Sequence, residues 1–252
     1  MSKSNSLPTP RRSRTWRRDW PLNLGLLFLA LLTYLPFAMM LQQSFKDNKQ
    51  FFTSFWLPTL PLHFENYTKA FPIIYATTIN TLLYAIPTLI IVLTVSGLTG
   101  FAFARYNFPG KNAIFLAMLL LIMLPGILLV IPMFVQMVDL GWTNTIQSMV
   151  LPWAAVQIPF GMFLMRTFFE TLPREYFEAA RLDGASEGGL FMRIALPLAL
   201  PAFSTLGIFT LLFTWNDIIW PLIVLLDTTK YPIAIGVLSF SNAQSTNYGI
   251  TF

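Results

Sequence analysis

The residues of this chain whose types could do chemistry crowd into one stretch. Glu170 to Pro197, ETLPREYFEAARLDGASEGGLFMRIALP, holds Glu170, Arg174, Glu175, Glu178, Arg181, Asp183, Glu187 and Arg193. Five of the chain's eleven carboxylates thus lie within twenty-eight residues, between two apolar blocks. Carboxylates and guanidiniums at helical spacing form ion pairs and docking faces. The first half reads as a short helix: Thr171 can cap it, Pro173 suits a first turn, and Glu175 and Glu178 lie near the positive end of its dipole. Gly184 stops it. Arg174 to Glu178 and Glu178 to Arg181 are expected as pairs one turn apart, while Ala179, Ala180 and Gly184 leave a small-residue surface where another backbone can come close. This stretch must sit in water or against a partner.

Catalysis finds no comparable constellation. Gly110-Lys111 lacks the spaced first glycine and the following hydroxyl residue of a phosphate-binding loop, so ATP is not expected to be bound or hydrolysed by this chain. His63 is the single histidine and has no ligand cluster in the sequence, which reads as a loop residue, and the absence of cysteine excludes thiolate metal sites and disulfides. Asp217 is the one carboxylate beside an apolar run. Its neighbours Trp215 and Trp220 suggest the water interface, where it either shapes the outer mouth of a path or caps local structure.

The elements that must position the charged stretch belong to a membrane protein. Of 252 residues, 55% are hydrophobic and only 11% charged, against about 25% charged in an ordinary soluble domain. A net charge of +5 might point to nucleic acid, but the basic residues flank apolar blocks, where orientation in a bilayer explains them. Residues 1–20 form a basic amino terminus. The run 22–41 is long enough to span and has no small-residue cleavage site after it, so it is a retained span rather than a signal peptide. Further spans are expected at 73–104, 113–138, 146–168 and 198–226, kinked at Pro125-Gly126, Pro132, Pro152 and Pro159. Residues 21–252 thus read as a single transmembrane domain, with the charged loop at 169–197 and an outer loop at 227–252. Placing 1–20, 105–111 and 166–193 in the cytoplasm collects twelve of the sixteen Lys and Arg, which sets the amino terminus inside.

Glu178-Ala179-Ala180, three residues, Gly184, nine residues, Ile194, one residue and Leu196-Pro197 together resemble, without a gap, the EAA loop of ABC-importer permease subunits. Ala180 to Ser186, and Trp215-Asn216-Asp217 through Trp220-Pro221-Leu222, are similar to the carbohydrate-uptake branch, in particular its second, maltose-type membrane subunit. The likeness runs from about Asn66 to the end. It implies an all-α membrane protein, a kinked helix bundle of the type I importer permease fold in the bacterial cytoplasmic membrane. Glu175, Glu178, Ala179, Ala180, Arg181, Asp183, Gly184, Ile194, Leu196 and Pro197 would form the loop that couples to the ATPase. Ser241, Asn242, Ala243, Gln244 and Ser245 would form an outer loop reaching the solute-binding protein, with a solvated loop as the alternative.

The same resemblance implies the partners: a second permease subunit, two ATPase chains that carry ATP and magnesium, an extracellular or periplasmic binding protein, the lipid bilayer and a sugar. Relatives add one more helix after a stretch like Asn247-Tyr248-Gly249-Ile250, so five spans are expected here and a sixth in the full pattern. Gly188-Gly189 departs from the pattern and should weaken the helix after the turn by about 1 kcal/mol per glycine. The rival class is an ion-coupled secondary transporter, which needs ionisable groups near the midplane that these spans almost wholly lack. Within the ABC class, glycerol phosphate and polyol permeases share the same words, and a membrane scaffold would explain the docking face but not the EAA spacing.

Overall fold

Apolar runs of twenty or more residues leave the backbone no hydrogen-bonding partner in hydrocarbon but itself, and helix is the outcome. The computed structural model describes residues 20–242 and 248, and no strand occurs among them. Three helices are long and apolar enough to cross a membrane unbroken: α1 (Trp20–Gln43), α3 (Glu65–Arg105) and α6 (Ile146–Thr171). A short α2 (Asn48–Thr53) lies between the first two. Two further crossings consist of bent pairs, giving up to five spans by length and composition. The first pair joins α4 (Lys111–Met123) to a 3-10 turn and α5 (Val130–Asp139) through a bend of 100°. The second joins α8 (Glu187–Leu190) and α9 (Leu196–Leu198) to α10 (Leu200–Asn216) through 75°. Between α6 and α8 stands α7 (Arg174–Leu182), and α11 (Ile219–Val224) and α12 (Ile233–Asn242) complete the described order.

Both bends follow from proline. Pro125 drives Leu124 out of the helical region, to φ −72° and ψ 127°, and the chain turns there. Pro197 removes the donor that would serve the Arg193 carbonyl, and the preceding residues Phe191–Ala195 widen into a π-helical turn. Ala199 then takes the bend at φ −92° and ψ 5°. The fifth span therefore differs from the expectation of one run over 198–226: its helix ends at Asn216, and α11 is a separate piece beyond Asp217. The expected outer loop at 227–252 is likewise helical over α12, whose Gly236 is buried with its Cα against Thr77 of α3.

The residues fall into two compact units, Met1–Tyr67 with Thr246–Phe252 and Thr68–Ser245. In the larger, α6 packs against α4 and α10. Lipid tails are as apolar as leucine, so burial gives little drive between spans and close backbone approach must supply it. Glycine makes that approach possible. A Cβ at Gly100 of α3 would lie 2.6 Å from Met165 Cβ and 2.8 Å from the Arg166 backbone nitrogen on α6. One at Gly161 of α6 would lie 2.3 Å from Ser96 Oγ on α3. Two buried clusters fill the unit: Phe101, Met165, Phe169, Phe177 and Leu190 in one, Tyr84, Met137, Trp153, Trp220 and Val224 in the other.

In the smaller unit, α1 is apolar on every side and none of its best hydrophobic window is buried. Asp47 and Gln50 close a capping box on α2, and the buried Lys46 ammonium donates to the carbonyls of Ser54 (2.6 Å) and Phe55 (3.3 Å) beyond its end. His63, read above as an ordinary loop residue, stands between Glu65 (3.1 Å) and Asp47 (3.7 Å).

The glycine crossings yield the first prediction. Gly100→Val must push α3 off the α6 backbone, a cost of about 1–3 kcal/mol for overpacking. Gly207→Ala on α10 meets only Leu89 Cδ1 at 3.7 Å and is tolerated. Thermal unfolding of the purified protein in detergent, followed by size-exclusion chromatography, should show a clear loss for the first and none for the second. Equal melting would mean that the crossing is not held by the glycine.

Candidate docking site

The charged stretch folds as two arms around one glycine. Its first arm is α7, entered through Pro173 at φ −58° and ψ 137° and lacking any side-chain cap. Thr171, read as the cap, instead ends α6, where its hydroxyl donates to the Phe168 carbonyl at 2.7 Å. Asp183 closes the helix, and Gly184 takes φ +82°, as the sequence demands. The N–H of Ala185 donates to the Ala180 carbonyl at 2.9 Å and that of Gly184 to the Arg181 carbonyl at 3.0 Å. This pair of bonds is the Schellman arrangement, and it requires the left-handed residue between them. Ser186 then caps the second arm by accepting from the Gly189 N–H at 3.3 Å. That arm remains α-helical for only four residues before the π turn, in keeping with the weakness expected of Gly188-Gly189.

One face of α7 is locked. Phe177 is 2% exposed, in the cluster with Phe101 and Phe169. The Arg105 guanidinium lies over its ring at 4.2 Å, while its Nη2 donates to the carbonyls of Phe169 (2.7 Å) and Leu172 (2.8 Å). Those carbonyls are among the orphans at the carboxyl end of α6, so Arg105 caps one helix while it seats another.

The expected ion pairs do not form. Arg181 turns from Glu178 to Glu187, with Nε–Oε1 3.1 Å and Nη2–Oε2 3.2 Å. Tyr106 donates a short hydrogen bond to the same carboxylate. Side-chain spacing predicted the partners within one helix, but the turn at Gly184 brings Glu187 into reach of the better, forked geometry. The Arg181 and Tyr106 hydrogen bonds hold the Glu187 carboxyl below the usual carboxylate range. A depressed value means that the bracket is complete at neutral pH and opens only as pH falls through that value. Burial, then the Glu187 hydrogen bond, push the Tyr106 phenol up.

The other face of α7 is open. Glu175, Glu178, Ala179, Arg181, Asp183 and Gly184 are exposed, but Ala180 is half-buried against the core cluster. The exposed small residues are therefore Ala179 and Gly184 without Ala180. In its place stand Leu182, 90% exposed, and Tyr176, 54% exposed. An apolar side chain so fully in water on a charged helix is the signal that spacing arguments passed over. Ile194 packs on the core, and Leu196 and Pro197 belong to the entry of the fifth span, so these three support the arm from behind.

At the other end of the same unit, Asp217 caps α11: Oδ1 accepts from the N–H groups of Ile219 (3.1 Å) and Trp220 (3.4 Å), and Oδ2 accepts from Trp153 Nε1 at 2.7 Å. It also borders a cavity of about 150 Å³ with Trp153, Phe213 and Trp220. Further along the chain, the turn at Thr228–Lys230 is tied to α3, through Asn80 Nδ2 to the Thr229 carbonyl (2.7 Å) and Tyr84 Oη to the Lys230 carbonyl (3.0 Å). Of the outer-loop candidates, Ser241 and Asn242 close α12, while their side chains, together with Ala243, Gln244 and Ser245, lie outside the described residues.

Comparison with known proteins gives one consistent result. Residues 96–251 match the profile of a family described as binding-protein-dependent transport system inner membrane component. The chain is 30% identical over 233 residues to the diacetylchitobiose uptake system permease protein NgcG of Streptomyces coelicolor, covering 90% of this chain and 76% of that protein. It is 31% identical over 238 residues to the arabinooligosaccharides transport system permease protein AraQ of Halalkalibacterium halodurans, covering 92% and 85%. With the trehalose transport system permease protein SugB of Mycobacterium tuberculosis it shares 27% over 236 residues, covering 93% and 84%. Its fold resembles a chain in the crystal structure of a bacterial ABC transporter involved in the import of the acidic polysaccharide alginate, with TM-score 0.76, 24% identity, and 95% and 85% of the two chains covered.

The left-handed residue sets the second prediction. A Cβ at Gly184 meets nothing within 4 Å, so substitution there costs backbone conformation alone, about 1 kcal/mol or more. Trypsin cleavage at the exposed Arg181 should accelerate about fivefold in Gly184→Ala and further in Gly184→Val, with Gly184→Asn in between wild type and alanine. A flat series would show that the turn does not depend on its φ.

Proposed function

The chain belongs to the family of binding-protein-dependent transport system inner membrane components, and from that membership we propose that it is the second permease subunit of an ABC importer for a sugar or oligosaccharide. Diacetylchitobiose, arabinooligosaccharides and trehalose in the names of similar permeases are all glycosides, which supports that substrate class. ATP and magnesium belong to a separate ATPase chain, and a second permease, a second ATPase copy and an external binding protein complete the assembly. The amino terminus and the charged arm lie in the cytoplasm, because that placement gathers the basic residues on one side.

The observation that carries this reading is the two-faced α7. Its inner face is fixed to α3 and α6 through Phe177 and Arg105, and its outer face offers Leu182 ringed by Glu175, Glu178 and Asp183. Interfaces concentrate their energy in a few central apolar anchors surrounded by polar contacts. Leu182 has that position, so it is the anchor that enters a groove of the ATPase, with Glu178 meeting a basic residue at the rim. ATPase closure then moves α7, and α7 moves the spans between inward-facing and outward-facing states, a population shift driven by ATP on another chain. Ser241 to Ser245 would face the binding protein at the opposite side.

Co-expression with the ATPase and companion permease tests the assignment. Leu182→Asp should insert normally yet lose ATPase co-purification and sugar uptake at least tenfold, and Glu178→Lys should fall less, as rim pairs contribute about 0–1 kcal/mol. A Leu182→Asp subunit that assembles and transports as wild type would end the role of α7 as the docking element.

A further inference from the structure

Along one flank of α7 lies a polar cavity of about 400 Å³ that shares only Glu178 with the proposed docking contacts. Its walls are the end of α3, the turn into α4, the end of α6 and the flank of α7 that bears Arg174, Glu178 and Arg181, and it has room for roughly a dozen water molecules. Arg105, Lys111, Arg174 and Arg181 line it, with Glu170 and Glu178. Glu170 is already taken by Arg166, at 2.8 Å and itself seated over the Phe115 ring at 3.8 Å. Arg181 has Glu187 as its counter-ion. With those partners counted, five cations face three carboxylates, and Arg174 makes no ion pair among the described residues.

The donors in this cavity are not spent. Lys111 Nζ gives one of its three hydrogens to the Tyr106 carbonyl, at 2.9 Å. Arg105 Nε is buried without a partner, while its Nη2 is held by the Phe169 and Leu172 carbonyls. Converging cations of this kind fit a doubly coordinated oxyanion such as phosphate.

The surroundings say what carries that phosphate. Three spans, α3, α4 and α6, have their ends at the cavity, which places it at the depth of lipid headgroups. Next to it α4 buries no residue and exposes Leu116, Leu120 and Leu121. An apolar flank leading to a basic pocket between span ends accommodates acyl chains and a headgroup together. We propose that the cavity binds the phosphate of an anionic phospholipid of the cytoplasmic leaflet, held between Lys111 and Arg174 above Arg105. This rests on the permease reading for its membrane and its sidedness. The lipid then braces the Arg174 flank of α7 while the ATPase holds the face that bears Leu182.

The test uses the whole transporter, with its companion permease and ATPases, in nanodiscs of phosphatidylcholine with or without phosphatidylglycerol. Native mass spectrometry counts retained phosphatidylglycerol, and ATPase stimulation by the loaded binding protein is read in parallel. Wild type should retain phosphatidylglycerol in preference to phosphatidylcholine. The double variant Lys111→Gln, Arg174→Gln should lose that preference by about fivefold for each charge removed, and Lys69→Gln, away from the cavity, should keep it. Equal retention in the double variant overturns the proposal. So does inorganic phosphate that, in phosphatidylcholine alone, restores stimulation as well as the lipid does, because the ligand is then a soluble anion. Loss of ATPase co-purification in the double variant with lipid retention intact also overturns it, assigning the cavity to an acidic group of the partner protein. Retention is scored without transport, so a complex that binds lipid selectively but imports no sugar in proteoliposomes refutes the sugar assignment and leaves this one standing.

Discussion

Everything at the charged end of the molecule depends on one guanidinium. Arg105 ends α3, satisfies two carbonyls at the end of α6, and supplies the cation over Phe177 of α7. A planar fork with donors in fixed directions can serve two carbonyls and present a flat face at once, which a lysine ammonium cannot do. The result is a joint in which α7 has no inner freedom of its own. Without it, the Leu172 carbonyl would need water at a site flanked by phenylalanines, and α7 would be held by the burial of Phe177, its Gly184 turn and the exposed Glu187 bracket.

The spans solve a different problem with few means. Prolines at 72, 87, 152 and 159 sit inside α3 and α6 without breaking them, whereas Pro125 and Pro197 lie at the breaks. The difference is tertiary: α6 is the helix the others pack on, and its neighbours confine it, while the α4 side of the first break is unburied. Where α3, α6 and α10 meet, Gly100 and Gly161 bring backbones together at the cost of chain entropy. Ser96 Oγ and Thr210 Oγ1 are buried near that meeting without a partner, so the crossing is held by contact and not by hydrogen bonds.

Much of this was legible in the residues. The five apolar blocks, the charged stretch, the stop at Gly184 and the loose second arm all rest on local rules of length, charge and φ, and local rules survive folding. Failures came where a side chain found a partner that helical spacing does not indicate, near in sequence or far. Thr171 is absorbed into α6 because its hydroxyl finds the Phe168 carbonyl first. Arg181 prefers Glu187 once the glycine has folded the chain back. Arg105 read only as a basic residue at the end of a span, since nothing in the sequence says that it reaches residues 64 and 67 positions away. Leu182 was hidden by composition: among so many leucines, an exposed one is visible only when the others are placed. Asp217 was left open between two roles, and its three hydrogen bonds make it a cap that also borders a cavity.

The arm is joined to the spans by two routes of unequal stiffness. Through Phe177 and Arg105 it bears directly on the ends of α3 and α6, with packed aromatics and two hydrogen bonds that leave no slack. Through α8 it reaches α10 only by way of the Gly188-Gly189 turn, the π-helical residues Phe191–Ala195 and the bend at Ala199. A π turn and a proline bend absorb rotation at small cost, as a hinge does. The arm is therefore fixed directly to α3 and α6, whereas its covalent route to α10 runs through the bend at Ala199. The glycine crossing between α3 and α6 brings their backbones together, whereas α10 meets them through side chains, Phe203 against Gly97 and Leu206 against Gly161. The second arm, with only four α-helical residues before the π turn, is thus the less regular of the two routes from α7 into the spans.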